Sequence, residues 1–370
     1  RTPREVTPEE YNEFYKSVSG GDDRDPARVI HYAAEGAHEF KVLMYIPAHK
    51  PFAFHWEEPK PGLKLYIQRV LIMDPCEQLL PPYMRFVRGV LDSSDLPFNI
   101  SRELLQNNPI LETLQKNVVR NVLSGLEALK NTEPETYRTF FRELGGMIKE
   151  GVGRDYANRE KLADLLMFES VKSPAGTLIS LADYVAAMPA DQTEIPYLIG
   201  ENRDILESSP YLETFRAKGH DVLLLTDPII DEFFLPALHE YKGKKLVAAD
   251  LAETDKNEPI EGQERFAALL TYLKTQLTEV RDVRLSRRLT DSAACLVSDA
   301  GAMPVHLERL MHKMGQAGDS DATKRILELN PNHPAVSAVL GLYERDANDA
   351  RVLGFGRLLY DQAVIAEGSK

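Results

Sequence analysis

The sequence predicts a multidomain chain of α/β and α+β class: two α/β layer subdomains joined by a helical coil, then a small α+β domain ending in a helix pair. Three observations carry this expectation. Apolar, β-rich runs alternate with helical repeats in two separate stretches, a helix-only stretch lies between them, and the acidic run DLAETDKNEPIEGQ at 250–263 sets off the C-terminal part. The 370 residues suffice for two or three cores at about 150 residues per domain. Boundaries are expected at 1–131, 132–170, 171–258 and 264–370.

Residues 8–18 (PEEYNEFYKSV) read as a short helix, with Thr7 and Glu10 placed as a reciprocal capping box. A polar break, GGDDRDP, follows. EFKVLMYIP (39–47) and LKLYIQRVLIMD (63–74) are apolar strand runs, and alternation in the second places Leu65, Ile67 and the Val70 to Met73 group in a buried sheet. MRFVRGVLDSSDLP (84–97) supplies a third strand. Asn108 and Pro109 then start a helix as an N-cap and first-turn pair, and Leu111, Leu114, Val118, Val122, Leu126 and Leu129 recur at helical spacing.

Residues 134–170 show no strand-like alternation and read as a helical connector. The second α/β unit follows: helix SLADYVAAM, strand IPYLIG (195–200), helix SPYLETFRAKG stopped by Gly219, and strand HDVLLLTD (220–227) suited to a sheet covered on both faces. IIDEFFLPALHEYKGKKLVAAD closes it with a helix and an edge strand. From Arg265 come a long helix, the basic β-branched run VRDVRLSRRL (280–289), CLVSD, a Met-rich helix at 303–314, strand ILELNP (326–331), and helices at about 334–346 and 348–366. The last helix carries a broad apolar face including Phe355, Leu358, Leu359 and Ile365. Its small domain cannot cover that face, so self-association is expected.

The local design is most unusual between Leu91 and Leu123. Asn99 or Ser101 can cap a helix there, Ile100 and Leu105 are spaced as a hydrophobic staple, and Glu103 suits the positive helix end. Arg102 does not suit that end, which points its guanidinium toward an anion; Gln106 lies one turn on, on the same face. By spacing alone, that anion is Asp95 or another nearby carboxylate, in a merely structural pair, or a ligand.

Composition bounds the rest. Net charge is −13, from 57 acidic and 44 basic side chains, which argues against a nucleic-acid surface. Cys76 and Cys295 are too distant for a metal knuckle and too few for a disulfide framework, so a reducing cytoplasm is expected. No apolar run approaches the ~20 residues needed to span a bilayer, and no membrane partner is expected. The chain opens on Arg1 instead of Met, which suggests a piece of a longer protein. Phosphate-loop, HExxH and GxSxG patterns are missing and the nine histidines are scattered, so no metal site and no self-sufficient hydrolase is expected.

The run LIMDPCEQLLPPYMRFVRGVLDSSDLPFNISRELLQNN resembles the middle domain of the heat-shock protein 90 chaperones. Further similarity continues in order through EGAHEFKVLMYIPAHKPF, SLADYVAAM, YLIGEN, KGHDVLLLTDPIIDEF and LELNPNHP, over essentially the whole chain. The resemblance implies a middle domain in two α/β parts and a C-terminal dimerisation domain, with the ATP-binding domain lying before Arg1. It gives Arg102 contact with the ATP γ-phosphate and Gln106 support of that arginine. A fixed guanidinium fork suits phosphate oxygens during transfer, as an arginine finger does. ATP and Mg belong to the longer protein; no cofactor is expected in this chain.

The resemblance also makes Met303, Leu310 and Met311 part of a client-binding helix; by spacing alone such a stripe is more often a core helix face. Glu232 and Phe233 fall in a second client patch, where simple core packing is the alternative for Phe233 or Phe234. Val339, Leu340, Leu358, Leu359 and Ile365 are the expected homodimer residues. The ending AEGSK lacks the acidic MEEVD-type tail of eukaryotic cytosolic members, as in bacterial ones. The competing reading is a stand-alone dimeric α/β scaffold in which Arg102 grips another anionic ligand.

Overall fold

The computed structural model describes residues 2–34, 38–56, 58–96, 108–251, 260–298, 311 and 324–367. They form a mixed α/β structure in two compact units, Arg1–Met167 and Phe168–Lys370.

In the first unit, helix α1 (Pro8–Val18) begins with the expected capping box: Glu10 N donates to Thr7 Oγ1 and Thr7 N donates to Glu10 Oε2. Strands β1 (Pro26–Ala34), β2 (Phe40–Pro47), β3 (Leu63–Ile67), β4 (Val70–Cys76) and β5 (Arg88–Ser93) form one sheet in the order β1-β2-β5-β3-β4. All pairs are antiparallel except β3 with β5. β2 and β5 approach so closely that a Cβ on Gly89 would lie 2.1 Å from Leu43 O, and Gly89 sits at φ +145. Only glycine fits there.

Helix α2 (Pro109–Thr132) starts as expected, with Ile110 N donating to Asn108 Oδ1 at 2.9 Å. It buries all six residues of the predicted stripe, Leu111, Leu114, Val118, Val122, Leu126 and Leu129. Gly125 lets it press onto the sheet, because a Cβ there would lie 2.7 Å from Ile30 Cδ1. Helices α3 (Pro134–Arg154) and α4 (Arg159–Leu165) complete the layer, with Phe140 of α3 packed edge-on to Phe86.

Three local expectations in this part are corrected. β1 directly follows the polar break: PARVIHYAA mixes charged and small residues, and its pairing with β2 overrides the weak pattern. The run 63–74 is a hairpin instead of one strand. Gln68 and Arg69 turn it at positive φ, leaving Leu65 and Ile67 fully buried but Val70 53% and Leu71 48% exposed. Finally, 134–170 is not helix throughout, since β6 (Met167–Ser170) ends it.

In the second unit, β6 joins β7 (Ile179–Ser180), β8 (Ile195–Ile199), β9 (Leu223–Leu225), β10 (Glu240–Tyr241) and β11 (Lys244–Ala248) in the order β10-β11-β8-β9-β6-β7. β11 is therefore not the edge strand expected from its position; the short β10 hairpin arm covers it. Helices α5 (Leu181–Ala187), α6 (Arg203–Glu207), α7 (Glu213–Lys218) and α8 (Pro228–Phe234) connect these strands. The expected helix at 209–219 is a 3-10 turn, Pro210–Leu212, running into α7, and Gly219 stops it in the left-handed region at φ +69.

A third sheet, β12 (Val280–Leu285), β14 (Arg325–Leu329) and β13 (Ala294–Val297), has order β12-β14-β13. Helices α9 (Gln263–Gln276), α10 (Pro334–Arg345) and α11 (Ala350–Glu367) bury one core with it, including Leu269, Leu273, Leu327, Val336 and Val352. A second core, with Leu212, Val222, Leu224, Cys295 and Val297, is shared between the second and third sheets. Among the described residues no helix is long and apolar enough to cross a membrane.

Candidate functional site

Arg102 and Gln106, with the expected cap and staple around them, lie outside the described residues. What precedes and follows them is held firmly. At the end of β5, Gln68 N donates to Ser93 O at 3.3 Å and Arg69 N to Asp92 Oδ1 at 3.1 Å, so the positive-φ turn between β3 and β4 serves as a clasp. Ser94 N and Oγ both donate to Glu39 O at 3.3 Å. Asp95, the candidate structural partner of Arg102, accepts from Glu39 N at 2.8 Å and lies 3.4 Å from His38 Nδ1. Leu96 is buried. Asn108 caps α2. The described residues on either side of the arginine-bearing segment are thus anchored on one layer.

Around α8, two adjacent phenylalanines separate their roles. Phe234 is buried and stacks on Phe168, ring centroids 6.3 Å apart, whereas Phe233 is 73% exposed. Glu232, beside it, lines a cavity of about 230 Å³ with Tyr197, Leu235, Pro236, His239 and Leu246. Burial and then the charge of Asp250 push the Tyr197 phenol up to about 12, so it stays a neutral donor. An exposed aromatic next to a carboxylate-edged apolar recess can take up apolar side chains of another chain.

Met303 and Leu310 lie outside the described residues; Met311 is described and half-buried. In the terminal helix pair, Val339, Leu340 and Leu359 are buried in the unit's own core. Leu358 and Ile365 are 60% and 64% exposed, and with Phe355 at 45% they share one outward face of α11.

Reading the sequence alone missed a buried polar joint between the second and third sheets. Glu328, 2% exposed, accepts from Arg284 Nε and Nη2 at 2.9 and 2.6 Å, from Ser286 Oγ at 2.9 Å and from Arg288 Nε at 3.2 Å. Arg288 Nη1 reaches back to Asp250 O at 3.2 Å. Glu213 accepts from the amides of Thr290, Asp291 and Ser292 at 2.7, 2.9 and 3.1 Å. The signal available was the basic run at 280–289, whose arginines call for anionic partners; those partners lie about forty or more residues away in sequence. Among the described residues no group of three or more His, Cys, Asp or Glu side chains is placed to hold a metal ion.

The described residues thus combine layered α/β units, an exposed aromatic beside a recess and an outward apolar face on the terminal helix. Comparison with known proteins supplies the family. The Hsp90 protein family matches residues 1–370. Chaperone protein HtpG of Geobacter sulfurreducens is 48% identical over all of this chain and 58% of its own length. HtpG of Salinispora tropica is 43% identical and that of Bdellovibrio bacteriovorus 42%, each over all of this chain and 59% of its own. The chain belongs to the Hsp90 family, and it spans somewhat under three fifths of the length of these curated relatives.

Proposed function

We propose that this chain is the middle and C-terminal region of an ATP-dependent molecular chaperone of the bacterial cytoplasm. The observation that carries the reading is the unbroken similarity of all 370 residues to chaperones named HtpG. In this proposal residues 1–131 and 171–258 are the two α/β parts of a middle domain, 132–170 the coil between them, and 264–370 the dimerisation domain. ATP and Mg are held by the part of the protein that this chain does not span. Arg102 donates to the γ-phosphate and Gln106 positions it; the clasp on Asp92 to Asp95 supports this role by fixing the chain that leads toward Arg102.

Clients bind at Glu232 and Phe233 and at Met303, Leu310 and Met311; the exposure of Phe233 supports the first of these. Two copies pair through the terminal helices, Leu358 and Ile365 offering contact while Val339, Leu340 and Leu359 hold those helices to the core. No nucleic acid or membrane takes part.

The test is reconstitution. Alone, the 370-residue chain turns over no ATP; mixed with a separately expressed ATP-binding domain of the same protein, it raises that domain's hydrolysis rate. Arg102→Ala abolishes the stimulation, by about 10³-fold if it acts as arginine fingers do, with nucleotide affinity little changed. Turnover by the chain alone, or full stimulation by Arg102→Ala, would sink the reading.

A further inference from the structure

Arg88 opens β5 as a half-buried cation with no carboxylate partner among the described residues. Its Nη1 donates to Arg85 O at 2.8 Å and Val87 O at 3.0 Å, and its Cζ stands 5.0 Å from the centre of the Phe54 ring. Those contacts fix the guanidinium plane and occupy one edge of it. Among the described residues the other edge, Nε and Nη2, meets no acceptor, and no carboxylate pairs with the group. Burial lowers its pKa.

Arg88 lines a cavity of about 340 Å³, together with Ser19, Phe54, Lys60, Lys64 and Asp74 among others. Its acids are already paired. Asp74 holds Lys64 at 2.9 Å, and Glu58, also on the wall, lies 3.3 Å from Arg85. Arg88 and the exposed Lys60 therefore remain as positive charge without partners among the described residues, in a chain whose net charge is −13. A partly desolvated guanidinium lacking a counter-charge is costly to a fold, and its free Nε–Nη2 edge is the fork that accepts two oxygens of one anion.

We propose that this cavity binds the oxyanion headgroup, phosphate or carboxylate, of a small molecule, gripped bidentately by Arg88 Nε and Nη2 with Lys60 at the rim. The volume is at the small end for ligand sites, enough for a headgroup and a compact organic body. Phe54 supplies the apolar wall for that body. The proposal is independent of the chaperone reading: it asks only that the first unit be folded.

Titrating the purified chain, with arginine Nε labelled for NMR, with inorganic phosphate and separately with succinate tests the proposal. One Nε–H resonance, missing in Arg88→Lys, shifts saturably. A response to phosphate alone, to succinate alone or to both tells which headgroup the fork accepts. By calorimetry Arg88→Lys, which keeps the charge and loses the fork, weakens binding about tenfold or more, and the rim variant Lys60→Ala about threefold. No saturable response to either anion, or equal binding by the parent chain and Arg88→Lys, overturns it. If Arg88→Lys fails to fold, the parent titration and Lys60→Ala still decide: unchanged affinity in Lys60→Ala together with no Nε–H shift refutes the site.

Discussion

In the unit Arg1–Met167, helices meet the sheet through apolar side chains: Leu114, Val118 and Leu126 of α2 are fully buried, and Phe140 of α3 packs against Phe86. In the unit Phe168–Lys370, the second and third sheets share apolar residues too, but their join also runs through Glu328, Arg288 and Glu213, all under 9% exposed. The two modes differ in how they fail. An apolar layer loses stability in proportion to the volume removed and the cavity left. A buried ionic joint is worth little net while complete, because desolvation offsets attraction, yet removing one partner leaves the other charged and dry. The first unit is thus a graded platform, and the second is held in register by an all-or-none polar lock.

The largest expected effect tests that lock. Glu328→Ala removes the buried carboxylate that Arg288, Arg284 and Ser286 share, costing about 3–5 kcal/mol. Hydrogen exchange reads it as lost protection in β12, β13 and β14 while β2 and α2 keep theirs. A loss under about 1 kcal/mol would mean that the apolar core shared by the two sheets holds them unaided.

The platform gives the contrasting result. Leu126→Ala, at a site with no solvent exposure, costs about 2–5 kcal/mol through lost burial and a residual cavity. The loss appears in α2 and β1 exchange. Because no titrating group is involved, it is the same at pH 5 and pH 8; strong pH dependence would show that a polar network contributes to the platform as well.

The same contrast explains what was legible. Periodicity exposed the platform: each apolar stripe residue of α2 is buried, and the Thr7–Glu10 and Asn108 caps form, since such signals lie within a few residues of each other. β1 and the 63–74 hairpin escaped because neighbouring strands, or a positive-φ pair with no glycine, determine them. Of the site, the exposure of Phe233 against the burial of Phe234 needed coordinates, since adjacent positions on one helix carry the same residue type. The lock was least legible: nothing near Glu213 or Glu328 in sequence announces amides and guanidinia that arrive from distant segments.

The smallest effect concerns one carboxylate of that lock. Burial acts to raise the Glu213 pKa, but hydrogen bonds from Ser292, then Asp291 and Thr290, outweigh it and hold the group below the ordinary glutamate value. A carboxylate depressed by folding stabilises the native state above its unfolded pKa of about 4.3 and loses that contribution as pH falls through the lower folded value. Protection of the Thr290, Asp291 and Ser292 amides, corrected for intrinsic exchange, therefore stays level from neutral pH down to that region and declines below it. In Glu213→Gln one amide oxygen still accepts, the charge is absent, and protection is lower by about 1–3 kcal/mol equivalent with no such decline. An equal acid decline in Glu213→Gln would assign the pH dependence to another carboxylate and reduce Glu213 to a neutral hydrogen-bond acceptor.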